Sequence, residues 1–148
     1  LTSAFPEADL LVGNHDALPY RWAQEMGVPD SFLREPKDLW QLPEGWNVIK
    51  RFGQVIIDDV IYQHGDRGRG NALLNAQTEF TSLVQGHHHQ LSSVSFVQNA
   101  SKRIYAVQTG CGVQHKHLSQ SYGRKYAGKP VLSCAVTFGH TAIVEPMI

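Results

Sequence analysis

Ser82-Leu83-Val84-Gln85-Gly86-His87-His88-His89-Gln90 (SLVQGHHHQ) carries an apolar run to a glycine and then into three consecutive histidines. Leu83 and Val84 suit a strand, Gly86 lets the chain turn, and imidazoles follow at once. The same passage occurs at "LLVGNHD" (10–16) and at "VIYQHG" (60–65). In α/β sheets, binding sites collect where strands end at their carboxyl edge. Three such ends are expected to deliver Asn14, His64, His87 and His89 to one place. Asn14 offers a carbonyl oxygen and the histidines offer ring nitrogens, a donor set suited to a metal ion. In an extended segment residues i and i+2 share a side, so His87 and His89 are expected to point together and His88 away. Each stretch also has a plainer reading. "GNHD" can be a turn that leads into a helix, and a histidine run can be solvated decoration.

Working outward, "ADLLV" (8–12) reads as a strand buried on both faces. Residues 17–27 have helical spacing at Leu18, Trp22 and Met26, with Gly27 as the stop. A second short helix is expected from Asp30 or Ser31 through Trp40, interrupted by Pro36. Residues 41–46 are loop. "QVIID" (54–58) and "VIYQHG" (60–65) are expected to form an antiparallel pair turning at Asp58-Asp59. A helix over 71–80 precedes the 82–86 strand. Strands are predicted at 93–98 and 103–110, and a last hairpin at 131–138 and 141–146 turning at Gly139-His140. The first half alternates strands and helices and the second half is mostly strands. The expected class is α/β (α+β in some schemes), as a single domain over 1–148.

The bulk composition is that of a globular chain. It has 148 residues, 42% hydrophobic and 18% charged, with 13 basic residues balancing 13 acidic ones. Bulk charge therefore argues for neither nucleic acid nor a membrane. No apolar run approaches the ~18 residues of a membrane span. Cys111 and Cys134 form no CxxC pattern, so free thiols and a reducing, cytoplasmic setting are expected.

Gly13-Asn14-His15-Asp16, then His64-Gly65, then Gly86-His87-His88-His89, in that order on strand ends, resemble the calcineurin-like metallophosphoesterases, most closely the small phage or bacterial type. The resemblance covers roughly residues 8–90. It implies a four-layer αββα sandwich with mixed sheets, two divalent metal ions, and hydrolysis of a phosphoester by a metal-bound hydroxide. Asn14, His64 and His87 would hold one metal and His89 would belong to the second. His15 would serve the leaving group, and Asp16 would orient His15. Manganese is the first choice of metal for the complete domain, with zinc, iron or nickel as alternatives.

The family's opening motifs, Asp-x-His and Gly-Asp-x-x-Asp, are not among these 148 residues. With them go the carboxylates of the metal pair, including the one that bridges it. Hard cations prefer anionic oxygen, so one amide and three imidazoles are expected to hold at most one metal, weakly. The chain is therefore expected to be the carboxyl-terminal part of such a domain, with the remainder removed or carried on another polypeptide. Alone it should show little activity. The bare edge of the 8–12 strand would invite another chain or a second copy.

Loop 65–71, "GDRGRGN", places Arg67, Arg69 and Asn71 at a helix start, where arginine forks and backbone N–H groups suit a phosphate. It reads equally as a flexible turn with Asn71 as helix cap. The loop 111–130 mixes basic residues with Tyr122 and Tyr126. It reads as a solvated loop or as a surface for a single strand or a nucleotide base. Trp22, Trp40 and Trp46 read as core or rim. The expected function is hydrolysis of phosphodiester or nucleotide phosphate bonds. The alternative is a catalytically inactive binding or assembly module on the same fold.

Overall fold

The computed structural model describes residues 4–67, 70–113, 116, 125 and 127–147. It is a mixed α/β chain of short strands and few helices, in two compact units, Leu1–Val55 and Ile56–Ile148. Among the described residues no helix is long and apolar enough to cross a membrane. Among the described residues no disulfide joins Cys111, which is buried, to Cys134, which is exposed.

In the first unit β1 (Ala8–Leu11) pairs in parallel with β2 (Trp46–Ile49), Ala8 opposite Trp46 and Leu11 opposite Ile49. The crossover between them carries α1 (Leu18–Glu25), a 3-10 turn (Asp30–Phe32) and α2 (Pro36–Leu39). Gly27 does end α1. It sits at φ +73, its N–H donates to Gln24 O (2.9 Å), and Val28 N–H donates to Ala23 O (2.9 Å). This is the paired closure that a left-handed residue permits after a helix.

Three readings of this unit need correction. Pro36 opens α2 instead of interrupting a helix, because its missing N–H falls where a helix has no internal partner. Residues 46–49 form a strand, yet a four-residue run gives periodicity too little length to register. And β1 is half-buried, with Asp9 exposed and bridged to Asn47 Nδ2 at 3.1 Å. It is not the doubly buried strand its composition suggests.

The second unit is built on a sheet of β3 (Gln54–Ile57), β4 (Val60–Gln63), β5 (Ser82–Gln85), β7 (Arg103–Thr109) and β6 (Ser92–Gln98), in that spatial order. The chain passes between the units within β3. Asp58 and Asp59 both take positive φ (50° and 60°), the geometry a two-residue hairpin turn requires. Strands β4, β5 and β7 run parallel, and β6 is antiparallel to β7. Strands β8 (Ser133–Phe138) and β9 (Thr141–Pro146) form the expected closing hairpin.

Register sorts the side chains into two faces. Ile61, Leu83, Ile104 and Ala106 pack against Ala72 and Ala76 of α3 (Ala72–Glu79). Val60, Val84, Tyr105 and Val107 pack against Ala142 of the hairpin, with Ala135 and Val144 beside it. The layers are helix, sheet, sheet. Leu83, Ile104 and Val107 are at most 1% exposed, and each such burial contributes about 1.5–3 kcal/mol.

Candidate functional site

Because β4, β5 and β7 are parallel and in register, their carboxyl ends fall on one edge. Val60 pairs with Ser82 and Gln63 with Gln85, which in turn pairs with Gln108. The next residues are therefore neighbours: His64-Gly65 after β4, Gly86-His87 after β5, and Gly110 after β7. Gly65 lies at φ +108 against the Gln85 amide, and a Cβ there would stand 3.0 Å from Gln85 Cδ. A side chain at this position would press on the Gln85 amide, at a φ that strains any residue with a Cβ.

The histidine run is coiled, not extended. His87 takes φ +61, His88 N–H donates to Gly86 O (2.7 Å), His89 N–H to His87 O (3.0 Å), and Leu91 N–H to His88 O (3.0 Å). The alternation expected of a strand is therefore lost, and His88 does not point away from His87. The rings of His64 and His87 are 5.3 Å apart at 69°, and those of His87 and His88 are 5.1 Å apart at 68°. His88 Nε2 lies 3.1 Å from Gly70 O. A carbonyl only accepts, so this nitrogen is the donor of the contact. The His89 carbonyl accepts from Val131 N–H (2.8 Å), which ties the turn to the segment before β8.

Burial lowers the pKa of His87 from its ordinary 6.5, and the His64 and His88 charges lower it further. Asp66 opposes them, and His89 adds the weakest push downward. His87 thus stays neutral with a lone pair available, the form that binds a cation or accepts a proton.

Beneath these rings lies a polar ladder that the motif reading missed. Gln63, Gln85 and Gln108 are buried, the last two at 1% exposure. Gln63 Nε2 donates to Gln85 Oε1 (2.9 Å), and Asn75 Nδ2 of α3 donates to the same oxygen (2.8 Å). Gln85 Nε2 donates to Gln108 Oε1 (3.2 Å) and to Gly70 O (3.3 Å). Gln108 Oε1 also accepts from Ala72 N–H (3.2 Å), while its Nε2 donates to Gln85 O (3.3 Å) and to Gly86 O. The signal was present: "YQHG", "VQG" and "VQTG" each put a glutamine at the end of an apolar strand, just ahead of a glycine.

Of the expected metal ligands, His64 and His87 come together, joined by His88 and Asp66. Among the described residues no three His, Cys, Asp or Glu side chains form a group able to hold an ion. Asn14, His15 and Asp16 belong to the first unit. There Asp16 Oδ2 accepts from Gly13 N–H (3.0 Å) and Ala17 N–H donates to Gly13 O (3.1 Å), a turn leading into α1. His15 and Asp16 are exposed and Asn14 half-buried.

On the substrate side, Arg67 is exposed and Arg69 lies outside the described residues. Asn71 caps α3, its Oδ1 accepting from Leu74 N–H (3.1 Å). Since Gln108 holds Ala72 N–H, two donors of the helix start are already used within the chain. Most of the 111–130 loop lies outside the described residues. Comparison with family models, with curated proteins and with solved structures found no match to this chain.

Proposed function

We propose that this chain is part of a metal-dependent phosphoesterase that hydrolyses phosphodiester or nucleotide phosphate bonds. In this reading its second unit supplies a helix layer and two sheet layers of an αββα sandwich. The observation that carries the proposal is the 5.3 Å approach of the His64 and His87 rings, on the carboxyl ends of adjacent parallel strands. Two imidazoles on one tetrahedral ion, each bound at about 2 Å, place their ring centres roughly 5 Å apart. The lowered pKa of His87 keeps its nitrogen available at neutral pH.

His64 and His87 would hold one divalent ion. When bound, such an ion polarises a phosphoryl oxygen and lowers the pKa of a coordinated water towards ~7. For Asn14, His15, Asp16 and His89 the resemblance alone supports the roles given above, and Arg67 and Arg69 supply charge for the phosphate. Manganese remains the first choice of metal for a complete domain. A pair of ions needs carboxylates beyond Asp66, from a further segment or a companion chain.

The test is metal content together with hydrolysis of a chromogenic phosphodiester in added Mn²⁺, on this chain and on a form extended at its amino terminus. We expect activity in the extended form and its loss in His87→Ala. If neither form binds metal or hydrolyses the diester, the proposal fails. The second reading, an inactive binding module, is favoured by one observation: the Ala72 and Leu74 N–H groups that could meet a phosphate are engaged within the chain.

A further inference from the structure

We propose that the Gln63–Gln85–Gln108 amide ladder is the positioning device of the histidine cluster, setting the tautomer of His88 and the turn at His87 through the Gly70 and Gly86 carbonyls. It deepens the reading above by naming positioning residues for that same site, but the geometry on which it stands involves no metal.

Three observations carry it. First, the amides are fully committed. Gln85 Oε1 accepts two hydrogen bonds and Nε2 donates two, and Gln108 does the same. Reversing either amide would set oxygen against oxygen, so their orientation is fixed. Second, the bonds end on the backbone that carries the histidines. Gly70 O receives Gln85 Nε2 and His88 Nε2 together, at 3.3 and 3.1 Å. Gln108 Nε2 holds Gln85 O and Gly86 O, the two carbonyls preceding His87. Third, His87 occupies the left-handed region, which a residue with a side chain keeps only when its surroundings hold it there. The ladder supplies that restraint, and Gly65 is the position that lets the Gln85 amide lie beneath the loop.

Glutamine suits the role for a chemical reason. A carboxylate at 85 could not donate to Gly70 O or to Gln108 Oε1, and a charged group at 1% exposure would be costly to bury. An aliphatic side chain would fill the space but leave Gly70 O to His88 and the weaker Asn75 contact at 3.5 Å. The junction would loosen and His88 would sample both tautomers.

The test is long-range proton–nitrogen NMR of the histidine rings in ¹⁵N-labelled, metal-free protein at pH 8, without substrate. In the wild-type chain we expect His88 as a single species protonated at Nε2. The side-chain amide protons of Gln85 and Gln108 should exchange with solvent at least tenfold more slowly than those of exposed Gln90. In Gln85→Met, His88 should become a mixture of tautomers and the His87 ring signals should shift. Ile104→Val, a core change outside the ladder, should leave both sets of signals in place. A wild-type His88 protonated at Nδ1, or unprotected Gln85 and Gln108 amides, overturns the proposal whether or not the methionine variant folds. So does a folded Gln85→Met with an unchanged His88, or the same change in Ile104→Val. Failure of the diester assay with these signals intact would discard the phosphoesterase reading and keep the ladder.

Discussion

The two units handle the same problem, a parallel pair of strands, in opposite ways. In Ile56–Ile148 the parallel strands β4, β5 and β7 are covered on both faces, by α3 and by the β8–β9 hairpin, and nearly all the buried side chains lie here. In Leu1–Val55 the parallel strands β1 and β2 stand as a pair, and among the described residues only Val12, Gly13 and Ala17 are buried. Several of its large apolar groups stay out, Trp22 at 60%, Met26 at 82% and Phe32 at 80% exposure. Parallel sheets need cover on both faces to be stable. The contacts that hold the first unit include a helix closure at Gly27, an aspartate on a turn, and, across the chain, the Trp46 indole N–H on the Phe5 carbonyl at 2.8 Å. The lesson is that stability and site geometry lie in the second unit, where a packed core supports a buried polar network.

The largest expected break in this contrast comes from truncating the cores. Leu83→Ala removes a side chain 1% exposed and should cost about 3 kcal/mol, within the 2–5 kcal/mol usual for such a cavity. Trp22→Ala in the first unit should cost under about 1 kcal/mol, as an exposed site does. Urea denaturation of both variants checks the pair, and equal losses would contradict the contrast in burial between Leu83 and Trp22.

A finer comparison uses two glycines of nearly equal φ. Gly27 (+73°) would meet nothing within 4 Å on gaining a Cβ, so Gly27→Ala should cost only the left-handed penalty of about 1 kcal/mol. At Gly110 (+74°) the new atom would overlap Ser133 Oγ and lie 2.6 Å from Val131 O. Gly110→Ala should therefore cost clearly more, about 2–3 kcal/mol, since strain adds to the same penalty. Thermal midpoints of the two variants measure the difference. A smaller loss is expected at Asp16→Ala, which removes one part-buried hydrogen bond at a turn, about 0.5–1.5 kcal/mol by the same measurement.

The smallest effect is a slope. His87 has a lowered pKa in the folded chain, so below its ordinary value of 6.5 the unfolded chain takes up the proton first. Stability should therefore fall as pH drops from about 6.5 through the lower folded value, and level off below it. In His87→Gln that component should vanish, leaving a flatter pH profile of unfolding midpoints. If wild type and variant give identical profiles between pH 7 and 5, His87 is not held neutral by its surroundings.

Much of the fold was legible because it is written in local patterns. The β-branched runs at 54–57 and 60–63, the Asp58-Asp59 turn, the Asn71 cap and the closing hairpin all depend on near neighbours. The "WNVI" strand was not legible, since its pairing with Ala8–Leu11 lies across a crossover and its own run is only four residues. At the site, His64 and His87 could be found because a histidine beside a glycine at a strand end is unusual enough to notice. Gln63, Gln85 and Gln108 were passed over because a lone glutamine closing a strand means little. Their meaning comes only when register aligns three of them.

By itself, then, the sequence determined roughly where the strands of the second unit lie, where the chain turns, and that ligating groups stand beside glycines at strand ends. Only the tertiary structure decided which of those groups meet. It set the His88 ring against that of His87, because the left-handed turn at His87 abolishes strand alternation. It also put α3's Ala72 N–H on Gln108 rather than leaving it open to a ligand. The physical reason is that backbone conformation follows local sterics and hydrogen bonding. The partner of a buried amide or imidazole is chosen by strands that pair from distant parts of the chain.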